Sequence, residues 1–432
     1  MSPDLSSRPA EAAGLSQKMD HTRLPPFFAA IADDYTGGAD LAGMLFEQGV
    51  RTVQVFGLQS EAFFRELKGR CQAVVLSLKS RSIPAADACR MSIEAYERLR
   101  ILEPGQVQFK YCSTFDSTRE GNIGPVTEEL MERMGADFTV AVPALPVNGR
   151  TQYLGHLFVG SQLLSESHMR HHPVNPMTDS NLVRHLQAQM RRKAGLISLA
   201  SVQSGPESIR RRIASLRQEG VAVALVDCTS DADLEAIARA VADLPLVTGG
   251  SGLAMKLPAV WREQARLKPA ESSQASPAGP AGSVLVLSGS CSAATLGQLE
   301  MARAAGVPMF RLDDAAIDRA LESAGAAIVY SSAPESERDP GMAATIEHAF
   351  GEIARRMVHE HGVRHLVVAG GETSGAVVNA LAIPAVEITA ILDPGVPALA
   401  SLGQPPVALV LKSGNFGAPD FFAKAIRYLR QA

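Results

Sequence analysis

The stretch Phe27-Phe28-Ala29-Ala30-Ile31-Ala32-Asp33-Asp34-Tyr35-Thr36-Gly37-Gly38-Ala39-Asp40 runs from apolar residues through two carboxylates into a glycine pair. Residues 27–33 read as a strand ending in acid. Residues 39–48, with Leu41, Met44 and Leu45 on one face and Gly49 at the C-cap position, read as the helix behind it. The same alternation continues outward. Residues 52–56, 73–78, 107–111, 138–142, 221–227 and 246–248 are strand-like, and 85–99, 125–134, 181–191 and 206–219 are helical. Residues 266–283 (RLKPAESSQASPAGPAGS) lack apolar periodicity and read as a linker. Beyond them come strands at 284–288, 308–312, 326–330, 365–369, 386–388 and 407–412, with helices at 293–305, 342–361 and 418–430. This predicts two α/β domains, 27–265 and 284–432, each a mostly parallel sheet flanked by helices, with a ligand site in the cleft between them. Residues 1–26 contain four prolines and no apolar segment, and read as a disordered tail rather than a signal peptide.

Composition narrows the function. A net charge of -4 over 432 residues leaves no electrostatic footprint for nucleic acid or an anionic membrane. The apolar runs 27–32 and 221–226 are strand-sized, far short of the roughly 20 residues a membrane span needs. The five cysteines (Cys71, Cys89, Cys112, Cys228, Cys291) are odd in number and form no C-x-x-C pair. That argues against a zinc knuckle or a disulfide framework and for a reducing, cytoplasmic setting.

In an open parallel sheet the carboxyl ends of the strands face the ligand crevice, so polar clusters at strand ends are the candidate site residues. Asp33 and Asp34 come first. A carboxylate there can orient a hydroxyl, act as a base or hold Mg²⁺, and the glycine pair lets a ligand approach the backbone. An Asp N-cap is the competing explanation. Lys79 and Arg81 suit an acidic substrate. Asp116, Ser117 and Thr118, in the hydroxyl-rich stretch that begins at Lys110, and the pair Asn148 and Arg150 offer the polar density a polyhydroxylated ligand requires. In the C-terminal half, three small-residue turns follow strands: Ser288-Gly289-Ser290-Cys291-Ser292, Gly370-Gly371-Glu372-Thr373-Ser374-Gly375 and Lys412-Ser413-Gly414-Asn415-Phe416-Gly417. Backbone N–H groups in such turns cradle phosphate oxygens, and three together point to one phosphate or nucleotide site. Glu372 could hold Mg²⁺ directly or through water. Walker, G-x-G-x-x-G and G-x-S-x-G signatures are absent, and His168, His171 and His172 match no metal-ligand spacing.

Taken in order, ADDYTGGAD, SLKSRSIP, KYCSTFDST, GNIGPV, PALPVNGR, VTGGSGL, LSGSCS, AGGETSG and LKSGNFG closely resemble the four-carbon acid sugar kinases, over residues 28 to about 425. Tyr35 stands where that family usually has Phe. The resemblance implies an N-terminal substrate-binding domain and a C-terminal nucleotide-binding domain. It implies transfer of the γ-phosphoryl of ATP, with Mg²⁺, to the 4-hydroxyl of a 3-oxo-tetronate, or of threonate or erythronate in sister subfamilies. The SLKSRSIP, FDST and LKSGNFG blocks look most like the 3-oxo-tetronate branch. It points to ATP contacts at a serine among Ser288, Ser290 and Ser292, at Gly370, Gly371, Glu372 and Thr373, and at Gly414. The acidic substrate is then expected on Lys79, Arg81, Asp116, Ser117, Thr118, Asn148 and Arg150. Asp34, with Asp33 second, is expected to handle the attacking hydroxyl. A homodimer is compatible with this reading. A nicotinamide-dependent dehydrogenase would need the missing dinucleotide fingerprint, and a non-catalytic sugar-acid sensor would not need three phosphate turns.

Overall fold

The computed structural model describes residues 27–172, 174–267, 282–313, 316–323, 325–333 and 340–431. The expected tail, and residues 268–281 of the expected linker, lie outside the described residues. Arg266 and Leu267 do not open a linker. Leu267 is buried in the N-terminal core and the Arg266 guanidinium lies over the Phe27 ring at 4.7 Å, which ties both to the preceding half.

Up to residue 267 the elements run β1 (Phe28–Ala32), α1 (Tyr35–Glu47), β2 (Thr52–Phe56), α2 (Glu61–Leu67), β3 (Ala73–Ser77), α3 (Ala85–Arg100), β4 (Gln106–Lys110), α4 (Ile123–Met134) and β5 (Thr139–Val142). They continue with the short strands β6 (Arg150–Tyr153), β7 (His156–Val159) and β8 (Gln162–Leu163), then α5 (Leu182–Gln189), β9 (Lys193–Ile197), α6 (Leu199–Gln203), α7 (Pro206–Gln218), β10 (Val221–Val226), α8 (Asp231–Val241), β11 (Leu246–Gly249) and α9 (Leu257–Glu263). From residue 284 they are β12 (Val284–Ser288), α10 (Ala293–Ala304), β13 (Met309–Arg311), α11 (Ala316–Glu322), β14 (Ala326–Tyr330), α12 (Ala343–His359), β15 (His365–Ala369), α13 (Gly371–Ala380), β16 (Ala385–Asp393), β17 (Val396–Ser401), β18 (Ala408–Lys412) and α14 (Phe421–Arg430).

Mostly parallel, helix-flanked strands were expected and are found, but they form one sheet rather than two. Fifteen strands run β13-β14-β12-β15-β18-β17-β16-β2-β3-β1-β4-β11-β5-β10-β9. The seam is the antiparallel pair β16–β2, which covers an edge strand of each half and removes two rows of unpaired backbone groups. The sequence reading had kept only residues 386–388 as strand and missed β17. That strand contains Pro397, a residue that weakens any strand assignment.

Three successive antiparallel pairings separate β18 from β2, so the two parallel blocks run in opposite senses. In a flat sheet their carboxyl ends would lie at opposite edges. Register irregularities between Ile388 and Ala390 and between Ile391 and Asp393 of β16 mark bulges, which bend a strand and increase its twist. Helices α1 and α13 pack against each other across this seam.

The first helix also begins earlier than expected. It starts at Tyr35, so Gly37 and Gly38 lie inside its first turns rather than in a loop before it. Gly38 is there for packing: a Cβ on it would fall 1.9 Å from Ser77 Oγ.

Candidate active site

Strand β1 delivers Asp33 and Asp34 at its carboxyl end, and the β3 loop delivers Arg81. Arg81 grips Asp33 with two bonds, Nε to Oδ2 at 2.9 Å and Nη2 to Oδ1 at 2.7 Å, and reaches Asp34 Oδ1 at 2.7 Å. Asp34 is also the N-cap of α1. Its Oδ1 accepts from the Gly37 N–H at 2.9 Å and its Oδ2 from the Thr36 hydroxyl at 2.9 Å. The capping role therefore falls on the carboxylate expected to handle the hydroxyl. Burial works to raise the Asp34 carboxyl, but Arg81 and then Lys110 hold it below the usual carboxylate range. Burial opposes the Arg81 charge, and Asp33 and Asp34 more than restore it.

Asp116 closes the far side of Arg81, with Oδ2 4.0 Å from Nη1, while its Oδ1 is buried without a hydrogen-bond partner. The residue before it, Phe115, holds φ at 53°, a left-handed conformation that is costly for a bulky side chain. His172 Nδ1 comes within 3.9 Å of Asp116 Oδ1, and Asn175 Nδ2 donates to Ser82 Oγ at 3.2 Å. His172 and Asn175 therefore sit beside the acid–guanidinium cluster. Arg150 bonds the Asn148 carbonyl, and its charge helps hold His168 below its ordinary value, after burial. Ser117 is turned inward, with its hydroxyl engaged by Gln189 Nε2 at 3.1 Å and its carbonyl by His185 Nε2 at 2.7 Å. The Thr118 carbonyl accepts from the same Gln189 Nε2 at 2.5 Å.

On the other side, the ends of β12, β15 and β18 bring the three small-residue turns together. The Ser290 N–H donates to the Ala369 carbonyl at 3.1 Å, and the Gly370 N–H to the Lys412 carbonyl at 2.8 Å. Gly370 has φ at +124°, a conformation reserved for glycine, and a Cβ there would stand 3.2 Å from Ser290 N. The three serines differ. Ser288 is buried and paired with Ser332 Oγ at 3.0 Å, Ser292 caps α10 and donates to the Gly414 carbonyl at 2.5 Å, and Ser290 is half-buried beside them. Thr373 Oγ1 lies where a Cβ on Gly289 would be, 2.1 Å away.

The two sides meet at the amino ends of α1 and α13. A Cβ on Gly371 would lie 3.7 Å from Thr36 Oγ1. Lys79 runs across the bare backbone of Gly375, where a Cβ would fall 2.2 Å from its Cε, and pairs with Glu372 Oε2 at 3.3 Å. Tyr35 donates to Asn379 Oδ1 at 3.0 Å, a bond across the seam that Phe could not make.

The structure thus brings together Asp33, Asp34, Lys79, Arg81 and Asp116 on one side and Ser290, Ser292, Gly370 to Thr373 and Gly414 on the other. It places Ser117 and Ser288 in internal hydrogen bonds. Sequence reasoning assigns no site role to Lys110, Asp40, Ser251, Lys412 or His172. Lys110 is buried, and a Cβ on Gly37 would stand 3.0 Å from its Nζ. Ser251 donates to Asp40 Oδ2 at 2.5 Å, and burial raises the Asp40 carboxyl against the pull of Lys110. A signal was present for both lysines, since each ends a buried strand where a charge is otherwise unexplained. Among the described residues, no group of three or more His, Cys, Asp or Glu side chains could hold a metal ion, and no helix is long and apolar enough to cross a membrane.

Comparison with known proteins divides the chain in the same way. A sugar-binding N-terminal domain model matches residues 28–257 and a nucleotide-binding C-terminal domain model matches residues 285–422. This is the two-part design of a protein that holds a sugar-like ligand against a nucleotide. The chain belongs to the four-carbon acid sugar kinase family. It is 47% identical over 426 residues to a 3-oxo-tetronate kinase of Pseudomonas savastanoi pv. phaseolicola, covering 94% of this chain and 98% of that one. It is 49% identical over 423 residues to a 3-oxo-tetronate kinase of Pseudomonas fluorescens, covering 94% and 97%. A solved structure from Salmonella typhimurium LT2, bearing a provisional tRNA synthase label, superposes with a TM-score of 0.80 at 40% identity, covering 92% of this chain and 98% of that one.

Proposed function

We propose that this chain is an ATP-dependent kinase that phosphorylates the 4-hydroxyl of a four-carbon acid sugar, a 3-oxo-tetronate, in the cleft at the seam between residues 27–265 and 284–432. The observation that carries this reading is the meeting of two helix amino ends, α1 with its acid–guanidinium cluster and α13 with its glycine turn, bridged by Lys79 and Glu372. Relatives that are 41–49% identical and carry the 3-oxo-tetronate kinase name support the substrate class. Five cysteines without a C-x-x-C pair support a reducing cytoplasm.

Arg81, Lys79 and Arg150 would hold the substrate carboxylate, and Asp116 and Asn148 its hydroxyls. Asp34 orients the attacking 4-hydroxyl. A carboxylate held below its usual range is a good hydrogen-bond acceptor and a weak base, which suits phosphoryl transfer, where positioning and charge neutralisation outweigh proton abstraction. Ser290, Gly370 to Thr373 and Gly414 would cradle the ATP phosphates. The residues fit a magnesium ion carried by the nucleotide rather than a protein cage: Glu372 is exposed at the seam and Lys79 is its one ion-pair partner among the described residues. Such an ion supplies charge neutralisation across the phosphates.

A coupled ADP-release assay against a panel of four-carbon acids tests the proposal. Turnover should be fastest with a 3-oxo-tetronate. Faster turnover of threonate would move the substrate within the family, and no ADP release with any acid would overturn the kinase reading.

A further inference from the structure

We infer that Lys412 is a positioning residue for the nucleotide: its buried amine locks the turns at Ser290–Ser292 and Ser413–Gly414 together and, protonated when the phosphates are bound, supplies the positive charge that answers them. The inference rests on the nucleotide reading of these turns.

Lys412 is the last residue of β18 and is wholly buried. Its Nζ donates to Thr295 Oγ1 at 3.0 Å, to the Ser413 carbonyl at 3.0 Å and to the Gly414 carbonyl at 2.9 Å. Three donors meet three acceptors, and every acceptor is neutral. The Gly414 carbonyl also accepts from Ser292 Oγ at 2.5 Å and Thr295 Oγ1 at 2.9 Å, so the ammonium is the hub on which two turns and the start of α10 converge. Thr295 of α10 and Ala369 at the end of β15 stand against it, neither of them charged. No carboxylate pairs with it: Asp393 takes Lys424 and the Ala418 N–H, and Glu372 takes Lys79. Burial alone pushes the amine down to about 7.

A cation taken out of water without an anion is costly, and a neutral side chain could serve a purely structural role here. The charge stands instead behind two turns whose N–H groups, together with the amino ends of α10 and α13, present the same sign. An anion of several charges is the missing partner, and its binding should draw a proton onto the lysine.

Two measurements test this on the full-length chain. In Lys412→Met, calorimetry should show ADP binding weakened at least about tenfold, with the KM for the preferred four-carbon acid unchanged. In the wild type at pH 8, titration of MgADP in buffers of different ionisation enthalpy should show uptake of roughly half a proton or more. This second readout does not depend on the variant folding, and a merely structural lysine would not move it. ADP affinity within about threefold of wild type in a folded Lys412→Met protein, or no proton uptake in the wild type, would overturn the inference. A wild type that binds no ADP at all would instead remove the nucleotide reading on which it stands.

Discussion

The two sides of the seam are built from different materials. The N-terminal side is a knot of buried charges in mutual contact: Asp33, Asp34 and Asp116 around Arg81, with Lys110 and Asp40 behind them. The C-terminal side is nearly neutral, made of serine and threonine hydroxyls, glycine backbone and one lysine. The difference follows from what each proposed ligand brings. A small hydroxy acid has one charge and several hydroxyls to place, which calls for directed charged acceptors and donors. A nucleotide brings its own charges and metal, so the protein need only offer donors of fixed shape.

The sharpest way to break this contrast is Arg81→Met. It would strand Asp33, which is 3% exposed, as an uncompensated buried charge. The expected loss is about 3–5 kcal/mol of stability, read by urea denaturation, together with acid-sugar turnover. Unaltered stability would mean that the charge knot does not hold the N-terminal side.

Asp34→Asn probes the same knot without dismantling it. Asn caps a helix as well as Asp does and leaves Arg81 paired with Asp33, so the melting temperature should fall only by what the Arg81–Asp34 pair contributes. As the loss of an orienting group rather than of a base, the change should lower kcat by about 10²-fold, with ATP affinity preserved because the proposed nucleotide site lies across the seam. A variant keeping more than about a third of wild-type kcat would move the role to Asp33 or Asp116.

On the neutral side, the buried lysine makes a pH signature. Lys412 sits at about 7 in the fold against an ordinary value of 10.5. Below pH 7 it is protonated in both states and its burial penalty is fully present. Between 7 and 10.5 the unfolded chain binds more protons, so the penalty is relieved as pH rises. The stability advantage of Lys412→Met over wild type should therefore shrink from pH 7 to pH 9, by about 2 kcal/mol. A constant difference would place the ordinary lysine value in the fold.

Gly371→Val tests the glycine cradle. A Cβ at this position meets Thr36 Oγ1 at 3.7 Å and no other heavy atom within 4 Å, so the fold should tolerate it. ATP affinity should fall about tenfold, roughly 1.4 kcal/mol, with acid-sugar binding intact. Normal ATP affinity by calorimetry would remove residues 370–375 from the site. The smallest effect is expected where the two sides touch. Lys79 and Glu372 are 34% and 76% exposed, so Glu372→Gln should cost less than about 1 kcal/mol of stability. A larger cost in thermal denaturation would show that the pair clamps the two halves together.

Much of this protein was legible in its sequence. Apolar runs of five or six residues ending in Asp33-Asp34 or Ser288 can hardly be anything but buried parallel strands, because each strand is covered on both faces. The glycine turns after β12, β15 and β18 were legible for the same local reason: a turn that needs a small residue or a positive φ declares itself, as Gly370 does. Small-scale burial was not. Ser117 and Ser288 looked like ligand contacts until Gln189 and Ser332, far away in the chain, were seen to occupy their hydroxyls. Only the tertiary structure decided how the halves join. The β16–β2 pairing is set by two edge strands finding each other, and β16 carries two register irregularities between the opposed parallel blocks. Lys79 opposite Glu372 and Tyr35 opposite Asn379 exist only because the two halves pair at this seam. Side-chain periodicity reports which face of a strand is buried, but not which distant edge it will pair with or how far the sheet will twist on the way.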